Sequence, residues 1–262
     1  MKSTQEKLEE IKRNGYNLEF GDVFNDSMEI YKKVIWITGF AFFILMAAFL
    51  VLYFAIMAFF FTTDNFINTM TEISLMEGSV TFMAYTMLIT IVLSVAISPM
   101  YAGVLQVCHN AKNNKEFDLS TIFIHYKTGS VKEIIISSLL IALTASLIAD
   151  GLTLIGVPFL GSIFSYVIQF LTLFTIPFII FGNLKAIPAI QASLTLISKN
   201  FLVIFGLMFV AVIIAFLGII AICIGILFTL PIIYTTQYAI YNTAVGVKEH
   251  DELDDIGRTD YY

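Results

Sequence analysis

The most regular polar side chains in this sequence are three amides, and each follows a proline. Gln106 follows Pro99 by seven residues, Asn183 follows Pro177 by six, and Gln237 follows Pro231 by six. A proline inside a helix removes a backbone hydrogen bond and leaves a carbonyl unpaired. The pattern predicts helix kinks at the three prolines. It leaves two roles open for the amides: structural hydrogen bonds between helices, or a polar pocket that also includes Tyr234.

The other candidate residues are isolated. Asp150 precedes Gly151 and is predicted to end a helix on the outer side of the membrane, with a binding site there as the alternative. Gln169 is a further amide with the same two possible roles. The two cysteines and three histidines lack metal-ligand spacing, and His109 and His125 are predicted to face solvent in one loop. With no nucleophile beside a base and no glycine-rich phosphate loop, the sequence predicts no enzyme, no cofactor and no metal site.

The composition indicates where these residues lie. Hydrophobic residues make up 58% of the 262 residues and charged residues only 13%, whereas a soluble domain carries about 25% charge. The apolar residues form long uninterrupted blocks, which are typical of helices that cross a membrane. The sequence therefore predicts an all-α integral membrane protein.

Six membrane-spanning helices are predicted. They cover residues 34–61, 80–107, 134–149, 161–182, 200–217 and 222–246. Short amphipathic helices at 20–33, 117–126 and 188–199 are predicted at the membrane interface before alternate spans. Capping boxes predict helix starts at Ser3 with Glu6 and at Ser130 with Glu133. The predicted regions are a cytoplasmic N-terminal helix with a solvated face (1–19), a membrane domain (20–246) and an acidic disordered tail (247–262).

The distribution of positive charge predicts the orientation. Six of the 14 Lys and Arg precede the first span, four lie between spans 2 and 3 or at the edge of span 3, two lie between spans 4 and 5, and two lie in the tail. The positive-inside rule then places both termini in the cytoplasm, with six spans. The lysines fit anionic lipid headgroups at about 1 kcal/mol each, and they are too few and too mixed with acidic residues to bind nucleic acid.

An internal repeat is also predicted. Each of three units would contain an interfacial helix, a spanning helix and a second spanning helix with a proline. Ser27, Ser120 and Ser193 precede a lysine by six or seven residues in the three units. Because the units share one orientation, a pseudosymmetry axis would run along the membrane normal, as in transporters built from parallel repeats. Shared hydrophobic composition alone is the alternative explanation.

The segments Gly225-Ile-Leu-Phe-Thr-Leu-Pro231 and Ser193-Leu-Thr-Leu-Ile-Ser-Lys-Asn200 resemble the YciC-like uncharacterised bacterial membrane proteins. They also resemble the membrane domain of some bacterial glycerophosphodiester phosphodiesterases. The resemblance covers most of residues 20–246 and implies six helices in an inner membrane, with no established activity. Related chains are sometimes labelled as carotene-cleaving oxygenases, but iron chemistry of that kind needs several converging histidines, and this sequence has three in all.

Two functions follow as expectations. The first is a non-enzymatic scaffold or accessory subunit that binds a protein partner through its surface helices or acidic tail. The second is a transporter or lipid-handling protein that uses a polar pocket at the proline-kinked helices. Both place the protein among membrane lipids, and neither requires a cofactor.

Overall fold

The structure is a computed structural model that describes residues 3–60, 68, 71–72, 75–76, 79–221 and 225–247. Within these residues the regular structure is helical throughout. The elements are α1 Thr4–Asn14, α2 Phe20–Phe60, α3 Val80–Lys112, a 3-10 helix Leu119–Tyr126, α4 Val131–Leu154, α5 Pro158–Leu171, α6 Thr175–Ile180, α7 Ala186–Lys199, α8 Phe201–Ala221, α9 Gly225–Thr229 and α10 Pro231–Ala244.

Five helical segments are long and apolar enough to cross a membrane, which confirms an all-helical chain compatible with a multi-pass membrane protein. They are Phe20–Ala58, Val80–Lys112, Val131–Leu154, Pro158–Ile180 and Phe201–Ile220. The sixth predicted span coincides with α9 and α10. The α-helical hydrogen-bond pattern is interrupted between them at Leu230, although its backbone keeps an αR conformation, so neither helix reaches a spanning length alone and the sixth span stays a prediction.

The amphipathic segment 20–33 is not a separate interfacial helix. It continues without a break into the first span as α2, which has 41 residues and is about 60 Å long at 1.5 Å per residue. No helix-breaking residue separates the two segments. The side of this segment that faces the protein is formed by Val23, Ser27, Ile30, Val34 and Thr38, which are buried, whereas Phe20 is 41% exposed.

Two further boundaries are corrected at α4. The helix does not end at Asp150-Gly151 but continues to Leu154, and the turn is made at Gly156, whose φ is +83°. The helix begins at Val131 as predicted, but the Ser130 cap is absent because its backbone is αR and not extended. The Glu133 carboxylate instead accepts a 2.8 Å hydrogen bond from the Ala186 N–H at the start of α7.

α10 lies at the centre of the bundle and contacts α2, α8 and α3. Its buried residues include two aromatic residues and a polar run, Tyr238, Tyr241 and Thr235–Gln237. The Ser27 hydroxyl of α2 lies 2.7 Å from the Thr236 hydroxyl. The core of the protein is therefore built around the last helix of the described chain.

The N-terminal helix α1 is docked on the bundle and does not stand apart in solvent. The Ser3–Glu6 capping box forms as predicted. Leu8 and Ile11 are buried in the main core, and α1 contacts α7. Lys7 donates a hydrogen bond to the Val245 carbonyl, which joins the N-terminal helix to the end of α10.

Glycine allows the 3-10 helix to approach α3 closely. A Cβ at Gly103 would lie 1.9 Å from the Ile122 carbonyl oxygen. We expect Gly103→Ala to lower the free energy of unfolding by about 1–3 kcal/mol, measured by thermal unfolding in a mild detergent. Gly151→Ala is the matched control, because nothing lies within 4 Å of its added Cβ. Equal unfolding temperatures for the two variants would contradict the close contact.

Candidate functional site

The span formed by α5 and α6 is interrupted at residues 172–174. Two side chains from other helices form hydrogen bonds with the backbone groups that this break leaves unpaired. The Ser193 hydroxyl of α7 accepts a 3.0 Å hydrogen bond from the Phe174 N–H and donates a 2.9 Å bond to the Leu171 carbonyl. Gln237 of α10 donates a 2.6 Å bond from Nε2 to the Leu173 carbonyl. These bonds satisfy backbone groups that the helix itself leaves unpaired.

The other end of the Gln237 amide is also occupied. Its Oε1 accepts a hydrogen bond from the Tyr101 hydroxyl of α3. The Tyr101 ring meets the edge of the Tyr234 ring, with centroids 5.4 Å apart. Gln237 is fully buried and connects α3, α10 and the α5–α6 break. The arrangement supports the structural role of this amide.

The structure does not gather the three predicted amides into one pocket. Gln106 donates a 2.9 Å hydrogen bond to Asn110 on its own helix. Asn183 is exposed, with a φ of +52°, in the turn before α7. No hydrogen bond in the described part of the chain joins Gln106, Asn183 and Gln237.

The three prolines also occupy different positions. Pro99 lies inside α3, which continues through it. Pro177 is the third residue of α6, so the break at residues 172–174 precedes it. Pro231 is the first residue of α10 and has no N–H to donate to the preceding turn.

Substitutions can distinguish the role of the buried amide, Gln237, from that of Gln106, which bonds only within its own helix. Gln237→Leu leaves the Tyr101 hydroxyl and the Leu173 carbonyl without partners, and we expect it to lower the free energy of unfolding by about 1–3 kcal/mol. Gln106→Leu removes only a bond within α3 and should cost less than about 1 kcal/mol. Unfolding in a detergent mixture of increasing denaturing strength measures both. Equal losses would contradict the assignment of Gln237 as the connecting residue.

A cleft of about 810 Å³ lies between α3, α4, α5 and the start of α6. Its walls are apolar residues such as Leu93, Ile97 and Ile141, and small residues such as Ala142 and Ala145. Polar side chains lie in a row on each of the three long helices. These are Thr86, Thr90, Ser94 and Ser98 on α3, Ser138, Ser146 and Asp150 on α4, and Ser165 and Gln169 on α5.

Some of these polar groups bond to the backbone and others have no protein partner. Thr86 and Ser98 donate hydrogen bonds to carbonyls of their own helix, and Ser165 donates to the Ala145 carbonyl across the α4–α5 pair at 3.5 Å. The remaining ones make no side-chain hydrogen bond or ion pair with the described residues: Thr90, Ser94, Ser138, Ser146, Asp150 and Gln169. The cleft therefore presents open donors and acceptors within apolar walls.

Sequence reasoning placed Asp150 and Gln169 among the candidates but missed the hydroxyl groups. A signal was present in their spacing. Thr86, Thr90, Ser94 and Ser98 recur every four residues, as do Ser138, Ala142, Ser146 and Asp150. Residues four apart lie on one face of a helix, so each helix carries a polar or small stripe.

The two loop histidines are buried, contrary to the prediction that they face solvent. Each side chain is 7% exposed. Nδ1 of His109 lies 3.0 Å from the Tyr238 hydroxyl. Nδ1 of His125 lies 3.2 Å from the Thr128 hydroxyl, and its buried Nε2 has no hydrogen-bond partner among the described residues. Within the described ranges, no three His, Cys, Asp or Glu side chains are grouped to hold a metal ion.

The burial of His125 makes the stability of the fold depend on pH. It lowers the pKa of the imidazole from 6.5 to about 4, so the unfolded chain binds a proton that the folded chain does not. The folded chain therefore loses no stability through His125 above about pH 6.5, and its stability decreases as the pH falls from 6.5 toward 4. We expect His125→Gln to make the unfolding temperature depend less steeply on pH between about pH 6.5 and pH 4.5. An unchanged slope would contradict the burial effect.

Comparison with protein-family models, curated proteins and solved structures finds no match to this chain. The function of the chain is therefore inferred from the cleft and from the residues that form it.

Proposed function

We propose that this chain is a multi-pass membrane protein that binds and handles a lipid-like amphiphile in the cleft between α3, α4 and α5. The observation that carries the proposal is the set of polar side chains without protein partners inside an otherwise apolar cleft. In a membrane, a polar group without a partner is unfavourable by several kcal/mol. An amphiphile with a polar head and an apolar chain satisfies both kinds of surface.

The dimensions of the cleft support a chain-like ligand. Thr86 and Tyr101 are the first and last lining residues of α3. They are separated by about 22 Å at 1.5 Å per residue, and the hydrocarbon core of a bilayer is about 30 Å thick. A ligand that followed α3 would extend across much of one membrane leaflet and into the other. This favours an acyl chain over a compact polar solute.

The proposal includes six spans, with α9 and α10 as an interrupted sixth, and both termini on the cytoplasmic side of an inner membrane. Its support is a set of contacts between helix ends that are far apart in the sequence. Lys112 at the end of α3 pairs with Asp26 near the start of α2, Glu133 of α4 binds the start of α7, and Lys7 binds Val245. These contacts bring segments that contain lysine to one end of the bundle, as the positive-inside rule requires.

The three-unit repeat belongs to the same proposal. The segment that precedes each odd span packs on the second span of another unit: the first part of α2 on α10, the 3-10 helix on α3, and α7 on α6. The second and third units each pack on the preceding unit, and the first unit packs on the third. A cyclic order of this kind supports a pseudosymmetric arrangement of three units. The likeness to YciC-like proteins is likewise part of the proposal.

The scaffold hypothesis stays a prediction. The acidic tail on which it depends, residues 248–262, lies outside the described residues. The 3-10 helix and α7 use their buried faces against α3 and α6, and their outer faces are available to anionic lipid headgroups or a protein partner. The open polar groups of the cleft favour the lipid-handling alternative over the scaffold.

Filling the cleft tests this function. We expect Ser146→Phe to remove a co-purifying lipid or to lower its occupancy at least about tenfold, because the ring occupies the volume of the ligand. The measurement is native mass spectrometry of the full chain released from lipid nanodiscs. Leu147→Phe is the matched control, since this neighbouring side chain is 56% exposed and does not line the cleft. Equal lipid occupancy in both variants and the parent would contradict the proposed function.

A further inference from the structure

Asp150 is the one charged side chain among the residues that line the cleft. It lies four residues before the end of α4 at Leu154, about 6 Å along the helix axis. Its side chain is half-buried and makes no hydrogen bond or ion pair with the part of the chain that the structure describes. The carboxylate therefore lies at the rim of the cleft near the α4–α5 turn, where a ligand can reach it.

The sequence supplies no cation for this carboxylate. Lys and Arg are absent from residues 34–111, 133–184 and 200–247. The basic residue of α4, Lys132, is separated from Asp150 by about 27 Å along the helix. A carboxylate in an apolar environment is stabilised mainly by an opposite charge or by several donors. Since no side chain of this region carries a positive charge, the complementary charge must come from the ligand.

The remaining polar lining is neutral. It consists of hydroxyl groups and the Gln169 amide, which can donate or accept hydrogen bonds. An anionic head would meet the Asp150 charge with no cation to offset it, and a neutral head would leave that charge uncompensated. A protonated amine is the head that forms a charge-assisted hydrogen bond there, while its apolar chain extends along α3 toward Ile176.

We propose that the cleft selects an amphiphile whose head carries a protonated amine, and that Asp150 binds this amine at the outer rim. This inference rests on the proposed function, since it names the ligand class of the same cleft. The shared chemistry belongs to two sources: the headgroup of an aminophospholipid from the surrounding membrane, and a free amphipathic amine. The experiment has one arm for each.

The first arm compares three probes with the same chain, dodecylamine, dodecanol and dodecanoate, titrated into the purified full chain and followed by native mass spectrometry. We expect dodecylamine to bind at least about tenfold more tightly than the other two. Asp150→Asn should remove this preference, and an unfolding temperature in mild detergent close to that of the parent shows that the variant is folded. Asp150→Glu should retain the preference. Asp22→Asn, which removes one charge from an exposed position, should have no effect.

The second arm uses nanodiscs with equal amounts of phosphatidylethanolamine and phosphatidylglycerol that carry identical acyl chains. Enrichment of the ethanolamine lipid on the parent protein, and its loss in Asp150→Asn, identifies the membrane as the source. A preference seen with dodecylamine alone identifies a free amine as the source.

Three results overturn the inference, in two different ways. Binding of dodecanol and dodecylamine with equal affinity, unaffected by Asp150→Asn, contradicts the amine preference but keeps an amphiphile in the cleft. Tighter binding of dodecanoate contradicts it in the same way. Failure of every probe and both lipids to bind contradicts the proposed function itself.

Discussion

A backbone group that loses its helical partner inside apolar surroundings must find another, and the packing of this bundle follows from that requirement. The break between α5 and α6 exposes the Leu171 and Leu173 carbonyls and the Phe174 N–H. Ser193 and Gln237 bind them from two other helices. Both side chains are fully buried, so α7 and α10 can move only if these bonds break. The position of the break therefore fixes the positions of α7, which follows it in the chain, and of α10, which is distant in sequence.

The second break, between α9 and α10, follows the same physics with different residues. Pro231 has no N–H to donate to the Leu227 carbonyl. The Tyr31 hydroxyl of α2 donates a 3.1 Å hydrogen bond to the Phe228 carbonyl, and the Thr229 hydroxyl donates to the Ala215 carbonyl of α8. A hydroxyl group from α2 thus binds the backbone of the second break, and Thr229 of the break itself binds α8. This explains why α10, which follows one break and binds the other, lies at the centre of the core.

The sequence predicted the class of fold because apolar block length depends only on membrane thickness. Helix boundaries were predicted where a local signal decides them, as at Ser3 with Glu6. They were wrong where tertiary contacts compete with a local signal. Glu133 binds α7 in place of a capping partner, and Gly151 continues a helix because an unobstructed glycine can remain helical. Asp150 and Gln169 of the candidate site were predicted, but their placement in one cleft depends on how α3, α4 and α5 pack together.

The polar side chains that bind the α5–α6 break differ from those of the cleft. Ser193 and Gln237 have complementary partners at the break, and their helices are held close. In the cleft, α4 and α5 approach each other closely, since a Cβ at Gly161 would lie 2.8 Å from the Ala149 carbonyl oxygen. The facing residues of α4 are small, such as Ala142 and Ala145, and do not reach the hydroxyl groups of α3. The space between these helices is therefore set by side-chain size, and six of its polar side chains make no hydrogen bond with the described residues.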